Sequence, residues 1–220
     1  MWMLSAPRLP RAILILGMAL AAADHARGSS CDGKTVLFED KFVNLANWTN
    51  VSKEFAAVKD GVLTLSVANG QSVGSLYRGD VFEDVDICAT VRLTESNVPK
   101  DSSNFAVFSL RFWAKDGDNR YELDIAPVNG TFHIDRLVGS RYLGGDWSKS
   151  PAVKGAGENN VIRVSVRGSQ AKYYINDSEV QSESPKAGHP PDGGSMVGWA
   201  AGSVEDAKCV WSVSSFKVTK

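Results

Sequence analysis

Apolar residues in this chain recur at every second position, not every third or fourth, and that period specifies strands. Val85, Ile87, Ala89, Val91 and Leu93 alternate with Asp86, Cys88, Thr90 and Arg92. Ala106, Phe108, Leu110 and Phe112 form an inward set against Phe105, Val107, Ser109, Arg111 and Trp113. Tyr121, Leu123 and Ile125 continue the pattern, as do Phe132 with Ile134, and Ile162, Val164 and Val166. Between the runs stand Asp60-Gly61, Asp116-Gly117-Asp118-Asn119, Asn129-Gly130, Gly168-Ser169 and Asn176-Asp177, residue types that reverse a chain because they tolerate positive φ or bond their own backbone. Strands at roughly ten-residue spacing predict an all-β fold, a two-sheet antiparallel sandwich. A Pro/Gly-rich stretch, Pro185 to Gly194, carries the chain between strands, but no linker divides residues 36–220, so one domain is expected there.

The N-terminal residues read differently. Arg8 and Arg11 precede the apolar run Ala12 to Ala23, and Ala21 and Ala23 suit a small-residue cleavage site. Residues 1–23 are expected to be a cleaved signal peptide, with 24–35 as an N-terminal extension. The run falls short of the roughly 20 residues a spanning helix needs, so no stable membrane span is expected after cleavage. An exported protein, periplasmic or extracellular, meets oxidising conditions, where two of Cys31, Cys88 and Cys209 are expected to pair. All three pairings remain open. Lys and Arg total 24 against 25 Asp and Glu, which leaves no basic field for nucleic acid.

Several strings fall in one order: Leu37-Phe38-Glu39-Asp40-Lys41-Phe42 with Leu45-Ala46-Asn47-Trp48, then Asp60-Gly61-Val62-Leu63-Thr64-Leu65, Asp118-Asn119-Arg120-Tyr121-Glu122, Ser150-Pro151-Ala152-Val153-Lys154, and Asn160-Val161-Ile162-Arg163-Val164 before Tyr174-Ile175-Asn176-Asp177. Together they resemble the concanavalin A-like jelly rolls, and within them the 3-keto-disaccharide hydrolase domain. The resemblance implies a jelly-roll sandwich from about Leu37 to Val218 and a hydrolase acting on small saccharides. It transfers no short catalytic signature, and the fold hosts binding modules, glycosidases and structural domains alike.

The site is therefore sought among the residues themselves. If the strands around Gly117 pair as a hairpin, one face collects Arg111, Trp113, Glu122 and Asp124, joined by His133 and Asp135 from the next strand. A sugar offers an apolar face and many hydroxyls, so a flat ring flanked by carboxylates and a guanidinium supplies both stacking and charge-assisted hydrogen bonds. Arg111, Trp113, Glu122, Asp124 and His133 are the candidate ligand-binding residues; Glu122, Asp124 and Asp135 are the candidate catalytic acids. Glu122-Leu123-Asp124-Ile125 also resembles the Glu-x-Asp-x-x-Glu core of family 16 glycosidases, but Ala126-Pro127 stands where that pattern has its proton donor. The favoured expectation is thus a binder of carbohydrate or glycoconjugate without a complete catalytic set, with a glycoside hydrolase and an envelope interaction domain as alternatives. No cofactor or metal is expected. Asp40, Asp84 or Asp86 are the carboxylates that a rim calcium would use.

Overall fold

A computed structural model describes residues 31, 33, 35–100, 105–180 and 194–220. The expected signal segment 1–23 lies outside these residues. Fifteen strands are present among those described: β1 Val36–Asp40, β2 Ala56–Lys59, β3 Val62–Ala68, β4 Ser72–Leu76, β5 Asp86–Ser96, β6 Val107–Ala114, β7 Arg120–Ala126, β8 Thr131–Val138, β9 Arg141–Tyr142, β10 Ser148–Lys149, β11 Asn160–Arg167, β12 Gln170–Ile175, β13 Ser178–Val180, β14 Met196–Gly202 and β15 Lys208–Thr219. One sheet runs β13-β12-β11-β5-β15-β3-β2, with β1 on β15; the other runs β10-β8-β7-β6-β14-β4, with β9 on β8. Every pairing is antiparallel. This is the two-sheet antiparallel sandwich expected from the period, in the concanavalin A-like jelly-roll form that the resemblance implies.

The alternating residues meet between the sheets. Leu63, Leu65, Ile87, Leu93, Phe108, Phe112, Tyr121, Trp199, Trp211 and Phe216 are all buried in one cluster, each contributing about 1.5 to 3 kcal/mol relative to exposure. Val81 is exposed, and β5 begins at Asp86, after Asp84 at φ 53° has turned the chain.

The strings that carried the resemblance fasten the strand connections. Asp40 accepts the Phe42 backbone N–H at 2.6 Å and the Trp48 indole N–H at 2.7 Å, which seats the buried indole beneath β1. Asn160 and Asn176 bond to each other at 2.9 Å and clamp Lys154 and Ala152 of the preceding loop. Asp116 caps its own turn by accepting the N–H groups of Asp118 and Asn119 at 2.8 Å, setting the hairpin from β6 to β7. On the outer side of the first sheet Cys31 and Cys88 form a disulfide, and Cys209 is a buried free thiol. Such bonds persist in oxidising compartments.

Candidate functional site

Register alone brings the candidate residues together. Ala200 on β14 faces Ser109 on β6, which faces Asp124 on β7, which faces His133 on β8. The next row runs Gly198, Arg111, Glu122, Asp135, and a third joins Arg120 to Leu137 and Tyr142. Residues in register share one face of a sheet, and here it is the face turned away from the core. Small residues on β14 leave the surface low on one flank. On the other flank the segment between β9 and β10 rises as a wall. The result is a hollow of about 300 Å³ lined by Ser109, Arg111, Arg120, Glu122, Asp124, His133, Asp135, Tyr142 and Trp147, among others.

Charge in the hollow is dense and poorly hydrated. Glu122 is 3% exposed and its Oε1 accepts Nε–H from both Arg111 and Arg120 at 2.8 Å. Beside it Asp124 is also buried, and that burial raises its pKa to about 6 against the pull of His133 and Ser109, with the Glu122 charge pushing the same way as burial. His133 places Nδ1 at 3.5 Å from Asp124 Oδ2 and Nε2 at 2.7 Å from the Gly145 carbonyl. Burial works to lower the imidazole, but Asp124, Asp135 and Gly145 outweigh it and raise its pKa. Because a carbonyl only accepts, Nε2 carries a proton, which leaves Nδ1 facing the Asp124 carboxyl. Burial likewise raises Asp135, despite the Arg136 N–H it accepts at 2.7 Å. A Cβ at Gly144 would fall on the Asp135 carboxyl and the His133 ring, so only glycine lets the wall close over them.

Arg111, Glu122, Asp124, His133 and Asp135 therefore converge as expected from the sequence. Trp113 does not. It is 4% exposed, at φ 43°, and packs at 5.4 Å on Tyr121 in the core. Between Arg111 and Ala114 strand β6 carries one residue more than β14 does between Gly198 and Met196, a bulge that turns Phe112 and Trp113 both inward. The aromatic wall of the hollow is instead Trp147, stacked on Phe105 at 4.4 Å and on His133 at 5.2 Å, while Tyr142 presents the most exposed ring at 64%. Arg120 was missed because its strand seemed to start at Tyr121. Its spacing of two from Glu122 was the available signal. Trp147, Gly144 and Gly145 sit in a loop with no period to read.

Among the described residues no group of three His, Cys, Asp or Glu is arranged to hold a metal ion. Asp40 is engaged by Trp48, Asp84 by the Gly168 N–H, and Asp86 by Arg163 and Arg167. Ala126 and Pro127, at the place of the family 16 acid, are both buried and carry no proton donor. No helix of the described residues is long and apolar enough to cross a membrane.

Similar folds occur among carbohydrate-active proteins. The mixed linkage glucan GH16 of Bacteroides ovatus, in complex with its product, superposes with a TM-score of 0.60 at 10% identity, over 83% of this chain and 100% of that one. The beta-glucanase of Bacillus licheniformis gives 0.57 at 10%, over 83% and 97%. The carbohydrate-binding module CBM66 of Bacillus subtilis gives 0.54 at 15%, over 75% and 91%. No match emerges among curated proteins. Residues 33–202 match the 3-keto-alpha-glucoside-1,2-lyase-like domain, a span that takes in every row of the hollow, and the chain belongs to that family.

Proposed function

We propose that this is an exported lyase that cleaves glycosides carrying a ketone on the sugar ring, and that Asp124, paired with His133, takes the proton whose removal starts the cleavage. The carrying observation is the Asp124–His133 pair: a buried carboxyl whose pKa stands at about 6, in a hollow, held against an imidazole whose other nitrogen is committed to Gly145. A binding face needs hydrogen bonds but no carboxyl tuned toward neutrality, and such tuning is what a general base requires. The family description supplies the reaction class. A ketone acidifies the carbon–hydrogen bond beside it, so a carboxylate can abstract that proton, after which the bond from the neighbouring anomeric carbon to its oxygen breaks by elimination. No water is consumed, and so the missing acid of the family 16 pattern is not needed. The Cys31–Cys88 disulfide and the apolar leader support export.

The test uses the protein without residues 1–23 and a methyl glycoside of 3-keto-glucose, followed by NMR. Wild type should release methanol and form the unsaturated keto sugar. Asp124→Asn should lower kcat by roughly 10² to 10⁴ while still binding the substrate. Equal turnover in wild type and Asp124→Asn would end the proposal. The likeness to CBM66 supports a second reading, retention of a glycan without turnover, which predicts binding by both proteins and product from neither.

A further inference from the structure

Two charges in the hollow have no task in the proton transfer. Arg120 is 5% exposed, and the Arg111 side chain is 13% exposed. A guanidinium has five N–H donors in a rigid fork. Among the described residues, the acceptor that both meet is Glu122 Oε1, and both meet it through Nε. The rest of each fork belongs to a side chain that lines the hollow. A guanidinium lining a hollow can offer a paired donor fork to an oxygen of a ligand. Space is kept for that fork: Gly74 on β4 lies so close to the Arg111 guanidinium that any Cβ would fall on it. Arg111 also stands one row away from Asp124, about 7 Å along the strand.

We infer, on the elimination reading above, that Arg111 and Arg120 together receive the ketone oxygen of the substrate and stabilise it as it becomes an oxyanion. The balance is as follows. Asp124 takes the proton, and the electron pair of the broken carbon–hydrogen bond forms a carbon–carbon double bond as the ketone becomes an enolate. The enolate then re-forms the ketone, the double bond shifts to the anomeric carbon, and the glycosidic carbon–oxygen bond breaks. Its electron pair leaves on the alcohol oxygen, which takes back a proton from the Asp124–His133 pair. Nothing is oxidised or reduced overall. Donors placed where charge develops lower the barrier more than they tighten ground-state binding. The substrate class is thus a neutral keto-glycoside whose charge appears only during reaction, rather than a uronate that brings a carboxylate with it.

Arg111→Lys and Arg111→Ala, each checked for folding by thermal unfolding, separate these cases on the neutral 3-keto methyl glucoside and on methyl glucuronide. Arg111→Lys should lose about 10² to 10³ in kcat with KM changed less than about threefold, and should slow exchange of the acidic hydrogen in D2O by a like factor. Methylguanidinium should restore part of the Arg111→Ala rate. A rise in KM with kcat intact, or tight glucuronide binding by wild type that Arg111→Lys abolishes, would overturn the inference and assign the pair to a fixed carboxylate. If wild type neither exchanges the hydrogen nor eliminates, the lyase reading falls first and this inference with it. If wild type turns over and Arg111→Lys does so equally fast, only this inference falls.

Discussion

Both sheets carry, on their outer faces, a carboxylate set between two arginines. On the first, Asp86 lies 3.5 Å from Arg163 and 3.4 Å from Arg167, and Arg163 also stacks over the Tyr174 ring at 3.6 Å. On the second, Glu122 binds Arg111 and Arg120, both at 2.8 Å. The chemical parts are nearly the same, yet Arg167 is half exposed whereas the groups around Glu122 are enclosed. The first trio stitches β11 to β5 and leaves only its Arg167 half exposed. The second stands in a hollow with three more titratable groups beside it, Asp124, His133 and Asp135. An ion-pair trio alone marks no site. Enclosure and the extra proton-carrying groups make the difference.

That contrast is most easily broken through stability. Glu122→Ala leaves two buried guanidinium groups without their counter-charge and is expected to cost about 3 to 5 kcal/mol in urea unfolding, whereas Arg167→Ala, half exposed, should cost less than about 1 kcal/mol. Comparable losses would mean that the two trios do the same structural job and that the enclosure has been overvalued.

The disulfide sharpens the separation of the faces. It ties Cys31 to β5 across a sequence separation of 57, behind the core from the hollow. Replacing both cysteines by serine should lower stability by about 2 to 4 kcal/mol, mainly by freeing the unfolded chain. The folded fraction should keep its substrate affinity. A parallel loss of affinity under conditions where the variant remains folded would show that the two sheets communicate.

The sequence revealed the fold more fully than the site, because period two survives wherever a strand is half buried. The rows through Ser109, Arg111, Glu122 and Asp124 follow from it directly, as do His133 and Asp135. Trp113 broke the rule because a one-residue bulge inverts the alternation, and nothing in Phe112-Trp113-Ala114 announces a bulge. The short strands Ser72–Leu76 and Ala56–Lys59 were invisible for a related reason: Ser-Val-Gly-Ser and Ala-Ala-Val carry too few large apolar residues to show a period. Gly74, small for the sake of Arg111, is itself part of that weak signal. The wall of Gly144, Gly145 and Trp147 has no regular spacing, and its work rests on one carbonyl and one ring placed by tertiary contacts. The residues of the resemblance, Asp40, Asn160 and Asn176, serve the scaffold, so they could identify the fold without indicating the site.

The smallest expected effect bears on the enclosed face alone. An ordinary aspartate titrates near 3.8, and in the folded protein Asp124 does so at about 6. The native state therefore holds that proton more tightly than the unfolded chain does. Its contribution to stability is complete below about pH 4 and is lost as pH rises through about 6. His133, raised above its ordinary 6.5, has the same sign: its contribution is present below 6.5 and lost as pH rises through the folded value. Asp124→Asn cannot ionise, so it should match wild type near pH 4 and become the more stable of the two by pH 6, by on the order of 1 kcal/mol. Turnover runs the opposite way, since wild type gains its base over the same interval while the variant has none. Unfolding curves at pH 4, 5 and 6 for both proteins decide the matter. A difference that stays flat would show that Asp124 titrates near the ordinary value, with Ser109 and His133 offsetting burial, and that the carboxyl is no better suited to accept a proton at neutral pH than an exposed one.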